Sequence, residues 1–120
     1  MRRLHILLVE DEELIRKVTE DNLAELGHNV DSAGTVEEAL KFLQQTPVDI
    51  LLTDINLPGL SGLELATMAR HRRPGLRVIF TSGYYAGAEL KQKTGLSDIT
   101  YLLKPYTRQS LAKAIADATE

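Results

Sequence analysis

Short apolar runs alternate with helical patterns along the chain, and this alternation constrains the fold more than any other feature. Apolar runs at 4–9, 28–33, 50–54, 76–80 and 99–103 predict five strands. A helical pattern follows each of them. Strands that alternate with helices in this way predict an α/β fold, with a parallel sheet covered on both faces and right-handed crossovers.

The helical stretches carry their own start and stop signals. In the first, apolar residues recur at roughly helical spacing until Gly27: Leu14, Ile15, Val18, Leu23 and Leu26. Thr35 and Ser61 each begin a capping box with a Glu three residues later, and Thr107 is the predicted cap of the last helix. A weaker helix is predicted over residues 84–94.

Composition limits what this domain can do. The chain has 120 residues and no cysteine, which predicts one domain without disulfides or thiolate metal sites and fits a cytoplasmic location. No apolar stretch is long enough to span a membrane. The net charge of −3 argues against nucleic acid as a direct ligand. A basic cluster at 70–77 is interpreted as a surface that complements a helix dipole.

A single carboxylate ends the third apolar run. The stretch 50–52 is entirely apolar, Asp54 follows it closely, and the residues after Asp54 are rich in turn formers. An acid at the carboxyl end of a central parallel strand lies where open α/β sheets place ligands. Asp54 is therefore the first candidate for chemistry.

Three acids would meet at this edge if strands one and three are neighbours. The pattern alone does not fix the strand order, but the order 2-1-3-4-5 would bring Glu10 and Asp11 beside Asp54. Such acids repel one another unless a hard cation such as Mg²⁺ neutralises them. In the alternative interpretation, the acids from Glu10 to Glu13 serve only to stabilise the first helix, through their interaction with the positive end of its dipole. That alternative does not explain Asp54.

Two further side chains are predicted at the same edge. Lys104 follows the fifth apolar run, and Thr81 follows the fourth. An acid triad, a hydroxyl and an ammonium can bind a metal, receive a phosphoryl group on a carboxylate and hold its oxygens. The histidines are scattered and form no nucleophile pair.

Four segments carry a resemblance that covers nearly the whole chain. They are Leu-Val-Glu-Asp-Glu at 8–12, Thr-Asp-Ile-Asn-Leu-Pro-Gly-Leu-Ser-Gly at 53–62, Phe-Thr-Ser-Gly at 80–83 and Tyr-Leu-Leu-Lys-Pro at 101–105. Together they resemble the receiver domains of bacterial two-component response regulators. The resemblance implies one receiver domain over 1–120, with the flavodoxin-like (βα)5 fold, a sheet in the order 2-1-3-4-5 and no output domain in these residues.

The resemblance also implies roles for individual residues. Asp54 would be the phosphoacceptor, and Glu10 and Asp11 the acidic Mg²⁺ pocket, which the backbone carbonyl of Asn56 completes. The implied phosphate-sensing groups are those of Thr81 and Lys104. Tyr101 would turn inward when Thr81 moves, and the bond before Pro105 would be cis.

The implied function is that of a signalling domain in a phosphorelay. A histidine kinase or phosphotransfer protein would donate the phosphoryl group, and the domain would assist only its own phosphorylation and dephosphorylation. Its output would be a downstream protein target or a missing output domain, without nucleic acid or membrane contact, and the resemblance allows a weak homodimer. The alternative is a receiver-like interaction module that signals with little or no phosphorylation.

Functions from other classes fit less well. An aspartate-nucleophile phosphatase would require a second Asp at the position that Asn56 occupies. A nucleotide or flavin binder would want a Gly-rich loop after strand one, where this chain has acids that would repel phosphate.

Overall fold

The computed structural model describes residues 3–83 and 98–119. Within these residues the elements are, in chain order, β1 (His5–Val9), α1 (Glu13–Glu25), β2 (Asn29–Ala33), α2 (Val36–Gln45), β3 (Ile50–Asp54), α3 (Gly62–Arg72), β4 (Arg77–Ser82), β5 (Ile99–Leu103) and α4 (Arg108–Thr119). The helix predicted over 84–94 lies outside the described residues. No helix in the described part of the chain is long and apolar enough to cross a membrane.

The five strands form one parallel sheet in the order β2-β1-β3-β4-β5. This confirms the flavodoxin-like order. Because side chains alternate across a strand, each strand contributes to two cores. Leu7 and Leu51 pack with α2 and α3 on one face of the sheet, and Ile6 and Leu52 pack with α1 and α4 on the other. The result is a three-layer sandwich whose central strands are buried on both faces.

The predicted helix caps are present. The Thr35 hydroxyl accepts a hydrogen bond from the Glu38 N–H at 3.2 Å, and the Ser61 hydroxyl accepts one from Glu64 at the same distance. Thr107 accepts from the Ser110 N–H at 3.1 Å. Each bond satisfies a backbone donor that the first helical turn leaves open. These local signals therefore fix where the helices begin.

Three predicted strand starts are early by one residue. At the first, β1 begins at His5, and the N–H of Leu4 donates to the His28 ring instead. The second apolar run was predicted to begin at His28, but the His28 N–H donates to the Leu23 carbonyl and closes the end of α1. The fourth was predicted to begin at Leu76, whose N–H instead donates to Arg73 in the turn after α3. In these last two cases a local hydrogen bond competes with the sheet for the backbone.

Helix α1 does not bury all of its apolar residues. Thr19 and Leu23 are buried, whereas Leu14 is 77% exposed and Val18 is 51% exposed. Val18 precedes the buried Thr19 by one residue and therefore lies about 100° away from it around the helix axis. Leu14 lies about one turn before Val18, so the two share this exposed side of the helix. The apolar periodicity predicted the helix but not the direction of this second stripe.

Two of the three histidines, and Arg70 of the basic cluster, have structural partners. His5 lies 2.7 Å from the Asp31 carboxylate, and a His28 ring nitrogen accepts the Leu4 N–H at 3.2 Å. Arg70 donates to the carbonyls of Leu76 and Asp98. These contacts support the interpretation of the basic cluster as a surface feature of the fold.

Candidate functional site

The carboxyl ends of the central strands bring the predicted acids and the lysine into contact. Asp54 is the last residue of β3, and Glu10 and Lys104 directly follow β1 and β5. The Lys104 Nζ donates to Glu10 Oε1 at 2.8 Å and to Asp54 Oδ2 at 2.7 Å. A single ammonium therefore bridges two carboxylates that are distant in sequence.

These charged groups lie below the surface. Glu10 is 2% exposed and Asp54 is 8% exposed. Burial raises the pKa of Glu10, and the hydrogen bonds from Lys104 and the Glu12 N–H oppose this rise. Burial alone would lower the pKa of Lys104, but its bonds to Asp54 and Glu10 outweigh that effect and raise it above its ordinary value. Lys104 is therefore a fixed positive charge at neutral pH.

Backbone donors hold the other oxygens of the same carboxylates. The Asn56 N–H donates to Asp54 Oδ1 at 3.2 Å, and the Glu12 N–H donates to Glu10 Oε2 at 3.2 Å. Each carboxylate thus has one oxygen on Lys104 and one on the loop that follows its strand. Both side chains are oriented before any ligand arrives.

Asp11 completes a group of carboxylates. One oxygen from each of Glu10, Asp11 and Asp54 lies within 4.8 Å of the others, and Asp11 is exposed. One ammonium cannot neutralise three carboxylates, so the cluster favours a further cation. Oxygen donors of this kind with an open side fit Mg²⁺, which keeps several waters when it binds proteins.

The acids before α1 do not form one class. Glu13 lies in the first turn of α1, where its negative charge interacts favourably with the positive end of the helix dipole. Glu10 is buried against Lys104 instead. The dipole interpretation therefore accounts for Glu13 but not for Glu10.

Thr81 and Tyr101 lie on the two strands beyond Asp54. The Cα of Asp54 pairs with that of Thr81, which is 3% exposed, and Phe80 pairs with Tyr101 on β5. The rings of Phe80 and Tyr101 have centroids 6.2 Å apart. Thr81 is thus next to Asp54 at the sheet edge, and Tyr101 lies one strand further out.

The segment after β5 returns to the site. The Lys104 N–H extends the ladder by donating to Ser82 at 2.7 Å, and the Lys104–Pro105 peptide bond is cis, the isomer that the resemblance implies. Tyr106 then turns toward α1, where its hydroxyl lies 2.7 Å from that of Thr19. Burial raises the pKa of Tyr106.

Two residues near the site were not singled out from the sequence. The backbone of Gly62 lies against the Asp54 carbonyl, and the Gly62 N–H donates to Ile55 at 2.7 Å. Arg16 donates to the Glu10 carbonyl at 2.8 Å. The sequence marks Gly62 only as a turn former in a capping box, and it gives no local signal for Arg16, because both contacts depend on tertiary structure.

Comparison with known proteins identifies the family of this fold and site. The sequence model of one protein family, the response regulator receiver domain, matches residues 6–116 of this chain. The receiver protein CpdR of Brucella abortus is 33% identical, over 92% of this chain and 92% of its own length. The response regulator FleR of Pseudomonas aeruginosa is 30% identical over 92% of this chain, which spans only 24% of FleR.

A solved structure supports the same assignment. The response regulator TrrA of Thermotoga maritima, in complex with Mg²⁺ and BeF, has a TM-score of 0.83 and 30% identity, and the match covers 96% of this chain and 98% of that one. Its fold agrees with the sheet order and layers described above. The chain belongs to the response regulator receiver domain family.

Proposed function

We propose that this chain is a phosphoacceptor domain, in which Asp54 receives a phosphoryl group from a partner histidine kinase or phosphotransfer protein in a reaction that requires Mg²⁺. Residues 1–120 would constitute one receiver domain. The observation that carries the proposal is the contact of Lys104 with both Asp54 and Glu10 beside the exposed Asp11. The Mg²⁺ and BeF in TrrA add support, since that relative has the same fold.

In the proposed transfer, an Asp54 oxygen forms a bond to phosphorus as the bond from phosphorus to the donor breaks. The electron pair of the broken bond leaves with the donor. Mg²⁺ held by Glu10, Asp11, Asp54 and the Asn56 carbonyl would neutralise charge that otherwise repels the anionic donor. Lys104 is placed to bind a phosphoryl oxygen, and Thr81 offers a hydroxyl to another.

Transfer from acetyl phosphate tests this proposal without a kinase. The intact mass of the wild-type domain is measured with acetyl phosphate and Mg²⁺, and again with the metal removed by a chelator. One added phosphoryl group is expected only with Mg²⁺. A mass that stays unchanged in both conditions would instead favour the alternative, a receiver-like interaction module that signals without phosphorylation.

An apolar groove beside the acid site supports a protein as the donor. The groove, about 480 Å³ in volume, lies between α1 and the segment after β5 and is lined by Leu14, Ile15, Val18, Thr19, Asn22, Lys104, Pro105 and Tyr106. Lys104 belongs to both the groove and the site. A partner seated on the exposed Leu14 and Val18 would bring its phosphoryl group beside Asp54. We therefore place the kinase contact on this stripe.

Leu14→Asp is expected to separate docking from chemistry. A charge at this exposed position should slow transfer from a phosphorylated histidine kinase by about tenfold or more, because it removes a buried apolar contact at the interface. Transfer from acetyl phosphate should stay within about twofold of wild type, because Leu14 is 77% exposed and the carboxylates are held by other residues. The test uses a kinase that labels the wild-type domain, with Gln44→Asp on an exposed position of α2 as a control that adds the same single negative charge away from the stripe. Equal slowing with both donors would contradict this docking surface.

Thr81 and Tyr101 are the proposed readout of phosphorylation. A phosphoryl group on Asp54 would give the adjacent Thr81 hydroxyl a charged acceptor, and movement of Thr81 would open space beside β5 that the Tyr101 ring can fill. We expect a shift between existing conformers. NMR spectra with Mg²⁺ and fluoroberyllate, an acyl phosphate mimic, should show coupled changes at Thr81 and the Tyr101 ring. Changes confined to the loop after Asp54 would exclude this coupling.

A further inference from the structure

The backbone of Glu10 is held from two sides at the point where β1 ends. Its N–H donates to the Ala33 carbonyl at 3.0 Å, which is the last rung between β1 and the end of β2. Its carbonyl accepts from the Arg16 Nη1 at 2.8 Å. Glu10 is 2% exposed, so its carbonyl needs a partner within the protein. Arg16 supplies that partner from α1.

Gly34 leaves the space that the Arg16 guanidinium occupies. A Cβ built on Gly34 would lie 2.7 Å from Arg16 Nη1, the same nitrogen that donates to Glu10. The backbone of Gly34 is not in the left-handed region, so its conformation does not require glycine. The lack of a side chain at this position is therefore explained by the room that Arg16 needs.

Arg16 is committed to a carbonyl and not to an acid. The salt bridges found among residues 3–83 and 98–119 do not include it. Its hydrogen bond to the Glu10 carbonyl is charge-assisted and therefore among the stronger kinds. The bond acts on the backbone of a proposed metal ligand and not on its carboxylate, whose oxygens accept from Lys104 and the Glu12 N–H.

We propose that Arg16 is a positioning residue for the metal site, and that Gly34 is required so that Arg16 can reach Glu10. The inference rests on the proposed function, because it assumes that Glu10 and its neighbours bind Mg²⁺. By fixing the Glu10 backbone, Arg16 keeps the Glu10 carboxylate beside Asp54, where the two can share a cation. Groups that orient metal ligands in this way commonly change metal affinity by tenfold or more when they are removed.

A purely electrostatic role for Arg16 predicts the opposite result. A guanidinium near the acids repels a divalent cation, so its removal would tighten Mg²⁺ binding. Gly34→Ala distinguishes the two roles because it displaces the guanidinium without removing its charge. Positioning predicts weaker binding in this variant, whereas a distant charge effect predicts almost no change.

The experiment is calorimetric titration of the whole chain with MgCl₂ alone. Arg16→Met and Gly34→Ala are each expected to raise the Kd about tenfold. Arg16→Lys, which keeps a donor and a charge, should recover part of the loss. In the Arg16→Met background, Gly34→Ala should change the Kd by less than about twofold, because the atom it would displace is gone. The matched controls are Gly75→Ala, where a Cβ meets nothing within 4 Å, and Lys17→Met, which removes an exposed charge from α1.

The outcomes separate this inference from the proposed function. If wild type binds Mg²⁺ and neither Arg16→Met nor Gly34→Ala weakens binding, the positioning role is overturned while the metal site stands. Fully additive effects in the double variant would also overturn it. If wild type does not bind Mg²⁺, both proposals fail. Should Gly34→Ala not fold, as judged by circular dichroism, the Kd values of the other three variants decide. Positioning predicts the weakest Mg²⁺ binding in Arg16→Met, partial recovery in Arg16→Lys and no weakening in Lys17→Met, and any other order overturns it.

Discussion

Asp54→Asn is expected to abolish phosphoryl transfer from acetyl phosphate, so that no added mass appears with or without Mg²⁺. The amide has no anionic oxygen to attack phosphorus, although it has nearly the same shape and can still accept the Asn56 N–H that now bonds Asp54 at 3.2 Å. With its oxygen on that N–H, the amide nitrogen of the Asn would face the Lys104 Nζ, so the 2.7 Å hydrogen bond between Lys104 and Asp54 would be lost. A loss of activity with the fold retained would therefore locate the acceptor.

Of the two other acids in the cluster, Glu10 is a poor substitute as an acceptor. Both oxygens of Glu10 are engaged, one by Lys104 and one by the Glu12 N–H, and the residue is 2% exposed. Asp11 is exposed and is therefore the competitor to test. A label that persists in Asp54→Asn and disappears in Asp11→Asn would show that the assignment to Asp54 is wrong.

Asp49→Asn provides the matched control. Asp49 precedes the first residue of β3, at the opposite end of the strand from Asp54, and its carboxylate accepts the His5 N–H at 2.8 Å. An Asn there can keep this hydrogen bond. The control variant should accept the phosphoryl group at the wild-type rate, which would exclude a general effect of losing one negative charge from the domain.

The sequence predicted most of the fold because its signals are local. Apolar runs, the capping residues Thr35 and Ser61, and the stop at Gly27 each act within a few neighbouring residues. The site followed from a topological rule and from the strand order that the family resemblance implies. Parallel strands place their carboxyl ends at a single edge of the sheet, and the order 2-1-3-4-5 makes the first and third strands neighbours. The meeting of Glu10, Asp54 and Lys104 could therefore be predicted before any distance was known.

The parts that the sequence did not predict depend on which surfaces meet. Leu14 and Val18 fit the helical period of α1, yet they face outward, because only one stripe of that helix packs on the sheet. Arg16 could not be connected with Glu10 and Gly34, since that contact requires α1 to lie beside the end of β2. Periodicity identifies an amphipathic element, but tertiary packing selects the face that is buried.

Gly62→Ala is expected to destabilise the domain by about 3 kcal/mol, although alanine is normally the better helix former. Gly62 is the first residue of α3, and a Cβ there would clash with the carbonyl oxygen of Asp54 and lie 3.0 Å from its carbonyl carbon. These are backbone atoms at the end of a buried strand, so they cannot rotate away as a side chain would. Relief requires the helix or the loop to shift, which would break the 2.7 Å bond from the Gly62 N–H to Ile55.

Urea unfolding of Gly62→Ala measures this loss, with Gly75→Ala as the matched control. A Cβ on Gly75 meets nothing within 4 Å, so the control should stay within about 0.5 kcal/mol of wild type. The atom that Gly62→Ala displaces belongs to the proposed acceptor itself. The folded fraction of this variant should therefore also accept phosphoryl groups more slowly, because Asp54 would no longer be held in line with Lys104 and the Asn56 N–H. Stability equal to or above that of wild type would mean that the loop after β3 can move without cost, and that the close approach of α3 does not fix Asp54.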